Sequence, residues 1–178
     1  GILHDNEVFG EGLATNVDFD AVGQRLAPLD VQIGDPLPTD CDLYYLGGGQ
    51  DRDQAIVAED LRRGKAADLA RVAADGAVVF AVCGGYQLAG HGYTAVDGSR
   101  MEGISLLDVD TVAGPTRLIG DLVIAVDFEG ELATVVGFEN HAGRTRLGPA
   151  ATPLGTVVSG NGNNGDDASE GAVYREAI

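Results

Sequence analysis

The residues best suited to chemistry in this 178-residue sequence are a cysteine and the glycines beside it. Residues 82–87 read Val-Cys-Gly-Gly-Tyr-Gln, and they lie between an apolar run (77–82), which predicts a buried strand, and residues that can continue a helix. On such a turn a cysteine is held out of the sheet, and the helix N-terminus behind it stabilises a thiolate. The pattern predicts a nucleophile elbow with Cys83 in place of serine, whereas a lone cysteine is more often a small buried apolar residue.

A second group of glycines, residues 47–49, follows another predicted strand, residues 41–46. The carboxyl ends of neighbouring parallel strands meet at one edge of a sheet, where ligands of doubly wound folds bind. This triple glycine could therefore present backbone N–H groups, together with the N–H of Gly84, to the oxyanion that forms when a thiolate attacks a carbonyl. A triple glycine by itself is usually only a flexible turn.

A thiol nucleophile needs a base, usually histidine, and the sequence offers His4, His91 and His141. His4 and His91 are predicted to be exposed polar residues, whereas His141 lies in a compact polar segment after a predicted strand. Residue chemistry alone therefore favours a pair between Cys83 and His141. Arg117, at the start of a predicted strand, is suited to clamp a carboxylate with two parallel hydrogen bonds, although a surface arginine is the commoner interpretation.

An α/β framework must position these residues in the first half of the chain. Helices over 51–63 and 65–74, between strands at 41–46 and 77–82, predict parallel pairing through a right-handed connection. A short helix over 17–26 and a short strand over 31–33 are predicted upstream. The half after Gly98 predicts short strands at residues 104–109, 118–126, 133–138, 156–158 and 172–174. Residues 161–171, rich in Gly, Asn and Asp, predict a mobile surface loop.

Composition narrows the class of protein. A length of 178 residues predicts one domain, and a net charge of -17 argues against binding to nucleic acid or anionic lipid. The charge is compatible with a basic protein partner, and solubility alone would also explain it. Two cysteines form neither a disulfide framework nor a metal-binding pattern, so a reducing, cytoplasmic setting and no bound metal are expected. Neither a transmembrane stretch nor a signal peptide is predicted.

Four motifs in order give the chain a family resemblance. It resembles class I glutamine amidotransferases of the cobyric-acid-synthase type, and among them the GatD-type glutaminase subunits of lipid II isoglutaminyl synthases. The resemblance covers residues 40–178 and implies an α/β, flavodoxin-like sheet with helices on both faces, a β-rich C-terminal half and a single domain over residues 1–178. The motifs are Gly-Gly-Gly-Gln-Asp-Arg-Asp-Gln (47–54), Val-Cys-Gly-Gly-Tyr-Gln (82–87), Thr-Arg-Leu-Ile-Gly-Asp (116–121) and Gly-Phe-Glu-Asn-His-Ala-Gly-Arg-Thr (137–145).

This resemblance also implies a reaction and a partner. Cys83 would attack the carboxamide of L-glutamine and form a thioester, and Gly48, Gly84, Arg117 and Gln87 would be substrate-binding residues. Ammonia would pass to a MurT-type, Mur-ligase-like subunit that uses ATP and Mg²⁺ to activate the D-glutamate of lipid II, giving D-isoglutamine in peptidoglycan. No cofactor is expected in this chain itself.

Two departures from the family pattern leave alternatives open. The family's catalytic histidine lies in a G-T-Y-x-H-G-P motif beyond the segment matched by residues 171–178, so the chain is expected to be truncated or to lack the usual base. His141 matches a different family position and is not assigned as the base, and weak or absent glutaminase activity is expected. No correspondence is found before Asp40. A non-catalytic partner domain, another thiol hydrolase, and another amidotransferase of the cobyric-acid-synthase type are the alternatives.

Overall fold

A computed structural model of the chain describes residues 2–3, 29–49, 51–128 and 130–174. It divides the chain into two compact units, one up to Tyr86 and one from Gln87 to Glu176. The helix predicted over 17–26 and His4 lie outside the described residues.

The first unit contains a parallel sheet. Its strands lie in the order β2-β1-β3-β4, and every neighbouring pair is parallel. This is the beginning of the flavodoxin-like order 2-1-3-4-5, so the predicted α/β fold with parallel pairing of the two strands is confirmed. The elements are β1 (Ile2–Leu3), β2 (Asp30–Val31), β3 (Leu43–Leu46), α1 (Asp51–Asp60), a π-helical turn (Leu61–Lys65), α2 (Ala66–Ala74) and β4 (Val78–Ala81).

The helical stretch between β3 and β4 differs from the sequence prediction at Gly64. The predicted break between two helices is wrong, because helical backbone continues from α1 through the π-helical turn into α2. The wider turn places Lys65 in the interior, where its Nζ donates to the carbonyl of Gln32 at 3.2 Å and pairs with Asp60. A buried ammonium is tolerated only with such partners, so tertiary contacts outweigh the local cost of glycine in a helix.

The core of the first unit is built from β3 and the helices. Tyr44 and Leu46 point to one face of β3 and are buried, as are Leu61, Leu69 and Val72 from the helical stretch. Tyr44 is fully enclosed but keeps its hydroxyl satisfied by donating to the carbonyl of Pro38 at 2.8 Å. Because the apolar face of the helices covers β3, the residues that follow the strand are held at its carboxyl end.

The second unit is rich in β-structure, as the sequence predicts. Helix α3 (Gly84–Ala89) crosses from the first unit into the second, and a sheet with the strand order β10-β9-β7-β5-β6 follows, with β8 paired to β7. A long antiparallel hairpin of β7 and β8 dominates it. Its strands are β5 (Gly92–Thr94), β6 (Arg100–Glu102), β7 (Val109–Phe128), β8 (Glu131–Leu147), β9 (Gly155–Ser159) and β10 (Ser169–Glu170).

One face of the long hairpin is packed. Leu122, Ile124 and Val126 alternate along β7 and are buried against Val157 of β9. The strand predicted at 118–126 is therefore confirmed, and its alternate side chains form a buried face. The strands predicted at 133–138 and 156–158 are likewise found inside β8 and β9.

Three other predictions for this half of the chain are corrected. The strand predicted at 104–109 is wrong up to Asp108, because backbone amides from Ile104 to Leu107 donate to carbonyls of residues 88–90 instead of to a strand. At 172–174 only Val173 pairs, through one bridge to Thr152. The hairpin of β5 and β6 was not predicted, since its three-residue strands are too short for a periodic signal.

Candidate active site

Cys83 lies where the sequence placed it, between the end of β4 at Ala81 and the start of α3 at Gly84. It is exposed, and its φ of 56° is unusual for a residue with a side chain. The turn is closed by Gly85, whose N–H donates to the carbonyl of Val82 at 3.0 Å. Such a conformation costs about 1–3 kcal/mol and persists where the surroundings impose it, often at functional sites. The predicted order of strand, cysteine and helix is confirmed, but the strand is not buried as predicted, since Val78 and Phe80 of β4 are exposed.

The triple glycine reaches this cysteine. A Cβ atom added at Gly48 would lie 2.9 Å from Cβ and 3.2 Å from Sγ of Cys83, and 3.6 Å from the backbone nitrogen of Gly84. Only a residue without a side chain allows this approach of backbone to thiol. Within the first unit, the structure therefore brings together Gly48, Cys83 and Gly84, as the sequence predicted from two separate motifs.

Two glycine amides lie next to each other at the cysteine turn. A Cβ atom at Gly84 would lie 3.3 Å from the nitrogen of Gly49, which places the two glycines side by side. Among the described residues, neither of their N–H groups donates a hydrogen bond. Free N–H groups next to a nucleophile are suited to receive the negative charge of a tetrahedral intermediate.

Gln54, which sequence reasoning missed as a single residue, completes this cluster. Its side chain is only 7% exposed, and its Nε2 donates to the carbonyl of Gly49 at 2.9 Å. The same amide occupies the space where a Cβ of Gly84 would stand. The available signal was a glutamine five residues after the triple glycine, on the face that α1 buries.

Arg117 belongs to the second unit, in the irregular stretch of β7 between Ala113 and Leu118. Its Nε donates to Oδ1 of Asn140 at 2.9 Å, and its Nη2 donates to the carbonyl of Asn140 at 2.7 Å. An arginine carries five N–H donors, so the Nη1 pair stays available among the described residues for an anionic group. The side chain is exposed but held in one direction by its neighbour.

The two described histidines, also in the second unit, both have local partners. His91 lies 3.0 Å from Oγ of Ser105 through Nδ1 and 2.9 Å from Oδ1 of Asp108 through Nε2. The hydrogen bond from His91 holds the pKa of Asp108 below its usual value, and the N–H of Ala150 acts in the same direction. His141 lies 2.9 Å from the carbonyl of Gly143 through Nδ1.

With this geometry in place, comparison with known proteins identifies the family. Residues 13–178 match the CobB/CobQ-like glutamine amidotransferase domain family. The chain belongs to this family. The resemblance inferred from four short motifs is thereby confirmed, and the family match also extends upstream of Asp40, to residue 13, where the motifs gave no correspondence.

The most informative relatives of this amidotransferase domain are subunits of a larger enzyme. The chain is 41% identical over 139 residues to the lipid II isoglutaminyl synthase (glutamine-hydrolyzing) subunit GatD of Staphylococcus aureus. The aligned residues cover 78% of this chain and 55% of the relative. The GatD subunit of Streptococcus pneumoniae is 43% identical over 139 residues, 77% of this chain and 52% of the relative. The chain therefore spans about half the length of these curated relatives.

A more distant relative has a different product. Cobyric acid synthase of Rhodobacter capsulatus is 32% identical over 150 residues, which cover 80% of this chain and 30% of the relative. The higher identity to the GatD subunits agrees with the subfamily that the motifs indicated.

The second and fourth family motifs meet inside the second unit. A Cβ atom at Gly143 would lie 3.2 Å from Nε2 of Gln87 and 2.8 Å from Cγ2 of Thr111. The hydroxyls of Thr111 and Thr145 lie 2.8 Å apart in the interior. Gln87, predicted to bind substrate, is therefore packed against Gly143 of β8, and its amide has a defined position.

The loop predicted to be mobile, residues 161–171, is instead held by hydrogen bonds to buried polar side chains. Glu139, only 4% exposed, accepts hydrogen bonds from the backbone N–H of Asn161 at 3.0 Å and of Gly162 at 2.9 Å. Asn163 and Asn164 are buried, and Asn164 donates to the carbonyl of Thr145 at 3.0 Å. The prediction is wrong because polar side chains here satisfy backbone groups of the loop itself, an arrangement that composition does not reveal.

Ionisable groups near this loop are perturbed by their burial. Burial raises the pKa of Glu170, with Glu139 acting in the same direction and His141 opposing it. In the first unit burial also raises the pKa of Tyr45, and the nearby Cys83 adds to that rise.

Within the described parts of the chain, no group of three His, Cys, Asp or Glu side chains is arranged to hold a metal ion. In the same residues no helix is long and apolar enough to cross a membrane.

Proposed function

We propose that this chain is the glutaminase subunit of a lipid II isoglutaminyl synthase, with Cys83 as nucleophile. The observation that carries the proposal is the approach of Gly48 to Sγ of Cys83, beside the backbone nitrogen of Gly84. A thiol, a strained turn and two N–H groups at one place are what attack on a carboxamide requires. Family membership and the GatD relatives at 41% and 43% identity support glutamine as the substrate.

The reaction follows from these groups. Sγ of Cys83 adds to the carboxamide carbon of L-glutamine, and the carbonyl oxygen takes the negative charge, which the N–H groups of Gly84 and of the 47–49 turn stabilise. The C–N bond then breaks, the nitrogen takes up a proton and leaves as ammonia, and a γ-glutamyl thioester remains. Water adds to the thioester, the C–S bond breaks, and glutamate and the free thiol result.

Arg117 is proposed to bind the carboxylate of glutamine, since it matches the family arginine with that role. The hydrogen bonds to Asn140 support this, because they fix the guanidinium while its Nη1 has no partner in the described part of the chain. Gln87 is also proposed to be a substrate-binding residue, because it lies in the family motif at 82–87 and its side chain is fixed against Gly143. Neither His91 nor His141 is proposed as the base.

The ammonia is proposed to go to a partner. The names of both GatD relatives include the word subunit, which supports assembly with a second chain. A MurT-type ligase subunit with bound ATP and Mg²⁺ would activate the D-glutamate carboxylate of lipid II, and ammonia would convert it to D-isoglutamine for peptidoglycan synthesis. The two units are proposed to form one amidotransferase domain, which the family match across both supports. A cytoplasmic location is proposed, in keeping with reduced cysteines.

Covalent labelling tests the glutaminase proposal without requiring turnover. A chloromethyl ketone analogue of L-glutamine should alkylate Cys83, with displacement of chloride, and L-glutamine should protect the thiol. Peptide mass spectrometry identifies the labelled residue, and Cys41→Ser should label like wild type whereas Cys83→Ser should not. Arg117→Ala should raise the analogue concentration needed for half-maximal labelling by more than about tenfold, because the carboxylate loses its charge-assisted hydrogen bonds to the guanidinium. Labelling that glutamine does not slow would refute glutamine binding and favour another thiol hydrolase or a non-catalytic domain.

A further inference from the structure

We infer that Gln54 is a positioning residue that sets the direction of the two backbone amides beside Cys83. The inference rests on the proposed function, because it assigns those amides to a developing oxyanion. It adds a residue that acts through the backbone of Gly49 and Gly84 and does not itself contact the reacting atoms.

The Gln54 amide is buried and hydrogen-bonded to the triple glycine. A side chain that is 7% exposed has lost most of its water, and the hydrogen bond from Nε2 to the carbonyl of Gly49, at 2.9 Å, compensates for that loss. The hydrogen bond joins α1 to the triple glycine that follows β3. A rigid helix therefore holds a segment that would otherwise be among the most flexible in the chain.

The same amide also lies against Gly84. The missing side chain of this glycine leaves room that the Gln54 amide fills, since an added Cβ would stand 2.8 Å from Cδ of Gln54 and 3.3 Å from the nitrogen of Gly49. One side-chain amide thus contacts both Gly49 and Gly84, the two neighbouring glycines at the cysteine turn. If the amide shrinks or loses its donor, Gly49 is released and the space at Gly84 opens, so both N–H groups lose their fixed direction.

The chemical consequence is selective. Donors aligned in advance stabilise charge on a carbonyl oxygen without reorganisation, and removing one such donor typically costs about 10²–10³-fold in rate. A reaction of the thiol that places no charge on a carbonyl oxygen gains nothing from them. A change at Gln54 should therefore slow acylation of Cys83 and leave alkylation at a saturated carbon nearly unchanged.

Two probes separate these reactions. With p-nitrophenyl acetate, Sγ of Cys83 bonds to the carbonyl carbon, the oxygen takes the charge, and collapse releases p-nitrophenolate and leaves an acetyl thioester. With iodoacetamide, Sγ displaces iodide and no oxyanion forms. In the Cys41→Ser background, Gln54→Met should lower the acylation rate by at least about tenfold, part of the loss expected for a missing donor, and change the alkylation rate by less than about twofold.

Controls make the outcome decisive. Gln54→Glu, which keeps the shape of the side chain but lacks the Nε2 donor, should show the same split, and it replaces Gln54→Met should that variant not fold. Gln32→Met, a change at an exposed glutamine of the same unit, should alter neither rate. Equal acylation in wild type and both Gln54 variants, or a parallel fall of both rates, overturns the inference. Because neither probe resembles glutamine, this result is independent of whether glutamine protects Cys83.

Discussion

The backbone of Gly48 lies against the thiol of Cys83, so that a Cβ added at Gly48 would stand 3.2 Å from Sγ and 2.9 Å from Cβ of the cysteine. Gly48→Ala must therefore push the triple glycine away from the cysteine turn. We expect a loss of about 1–3 kcal/mol in the free energy of unfolding, as for other overpacked sites, together with slower labelling of Cys83 by the glutamine analogue. Urea denaturation and labelling kinetics measure the two effects.

Gly64→Ala is the matched control for this change. Gly64 lies in the π-helical turn, and an added Cβ would meet nothing within 4 Å. The variant should be as stable as wild type or more stable by up to about 1 kcal/mol, because alanine favours helical backbone. The packing argument fails if Gly48→Ala unfolds at the same urea concentration as wild type.

Glu139 is expected to matter for the stability of the second unit. Glu139→Gln replaces one acceptor oxygen with an NH₂ group that faces the N–H donors of Asn161 and Gly162. The free energy of unfolding should fall by about 1–3 kcal/mol, the cost of leaving buried polar groups unpaired, and backbone amides of residues 161–164 should exchange faster with solvent. Glu131→Gln, at an exposed position of the same strand, should stay within about 0.5 kcal/mol of wild type. Unchanged amide exchange at the loop would contradict the role of Glu139.

The raised pKa of Glu170 predicts a pH dependence of stability. Burial, the largest cause, makes the folded protein bind a proton at this carboxyl more tightly than the unfolded chain does. Stability contributed by this group is therefore present below its unfolded pKa, about 4.3, and is lost as the pH rises through the raised folded pKa. Glu170→Gln removes that loss, so the variant should gain stability relative to wild type as the pH rises through this window.

The urea midpoints of wild type and Glu170→Gln, measured from about pH 4 to about pH 8, test this expectation, since the range begins near the pKa of an unfolded glutamate. The difference between the two proteins should grow across the window and then become constant. A difference that stays the same over the whole range, or that shrinks as the pH rises, would contradict the assignment.

Local patterns in the sequence determined the cysteine turn and the triple glycine, because each depends on neighbouring residues. The parallel pairing of β3 with β4 followed from the helical stretch that connects the two strands. The ordered motifs also determined the family. The apolar residues at 104–109 wrongly predicted a strand, because the backbone amides of residues 104–107 donate hydrogen bonds to carbonyls at the end of α3. Glycine was misleading at Gly64, where burial of Lys65 keeps the chain helical.

Only the tertiary structure decided which polar side chains stabilise the site. The contact of Gln54 with Gly49 and Gly84, and the hold of Glu139 on the loop at 161–164, join residues from different elements. No local pattern encodes these contacts, because a buried amide or carboxylate is recognised by the groups that replace its water, and folding alone brings those groups to it. The sequence by itself thus located the cysteine turn and its glycines, and the fold supplied the side chains that hold them in place.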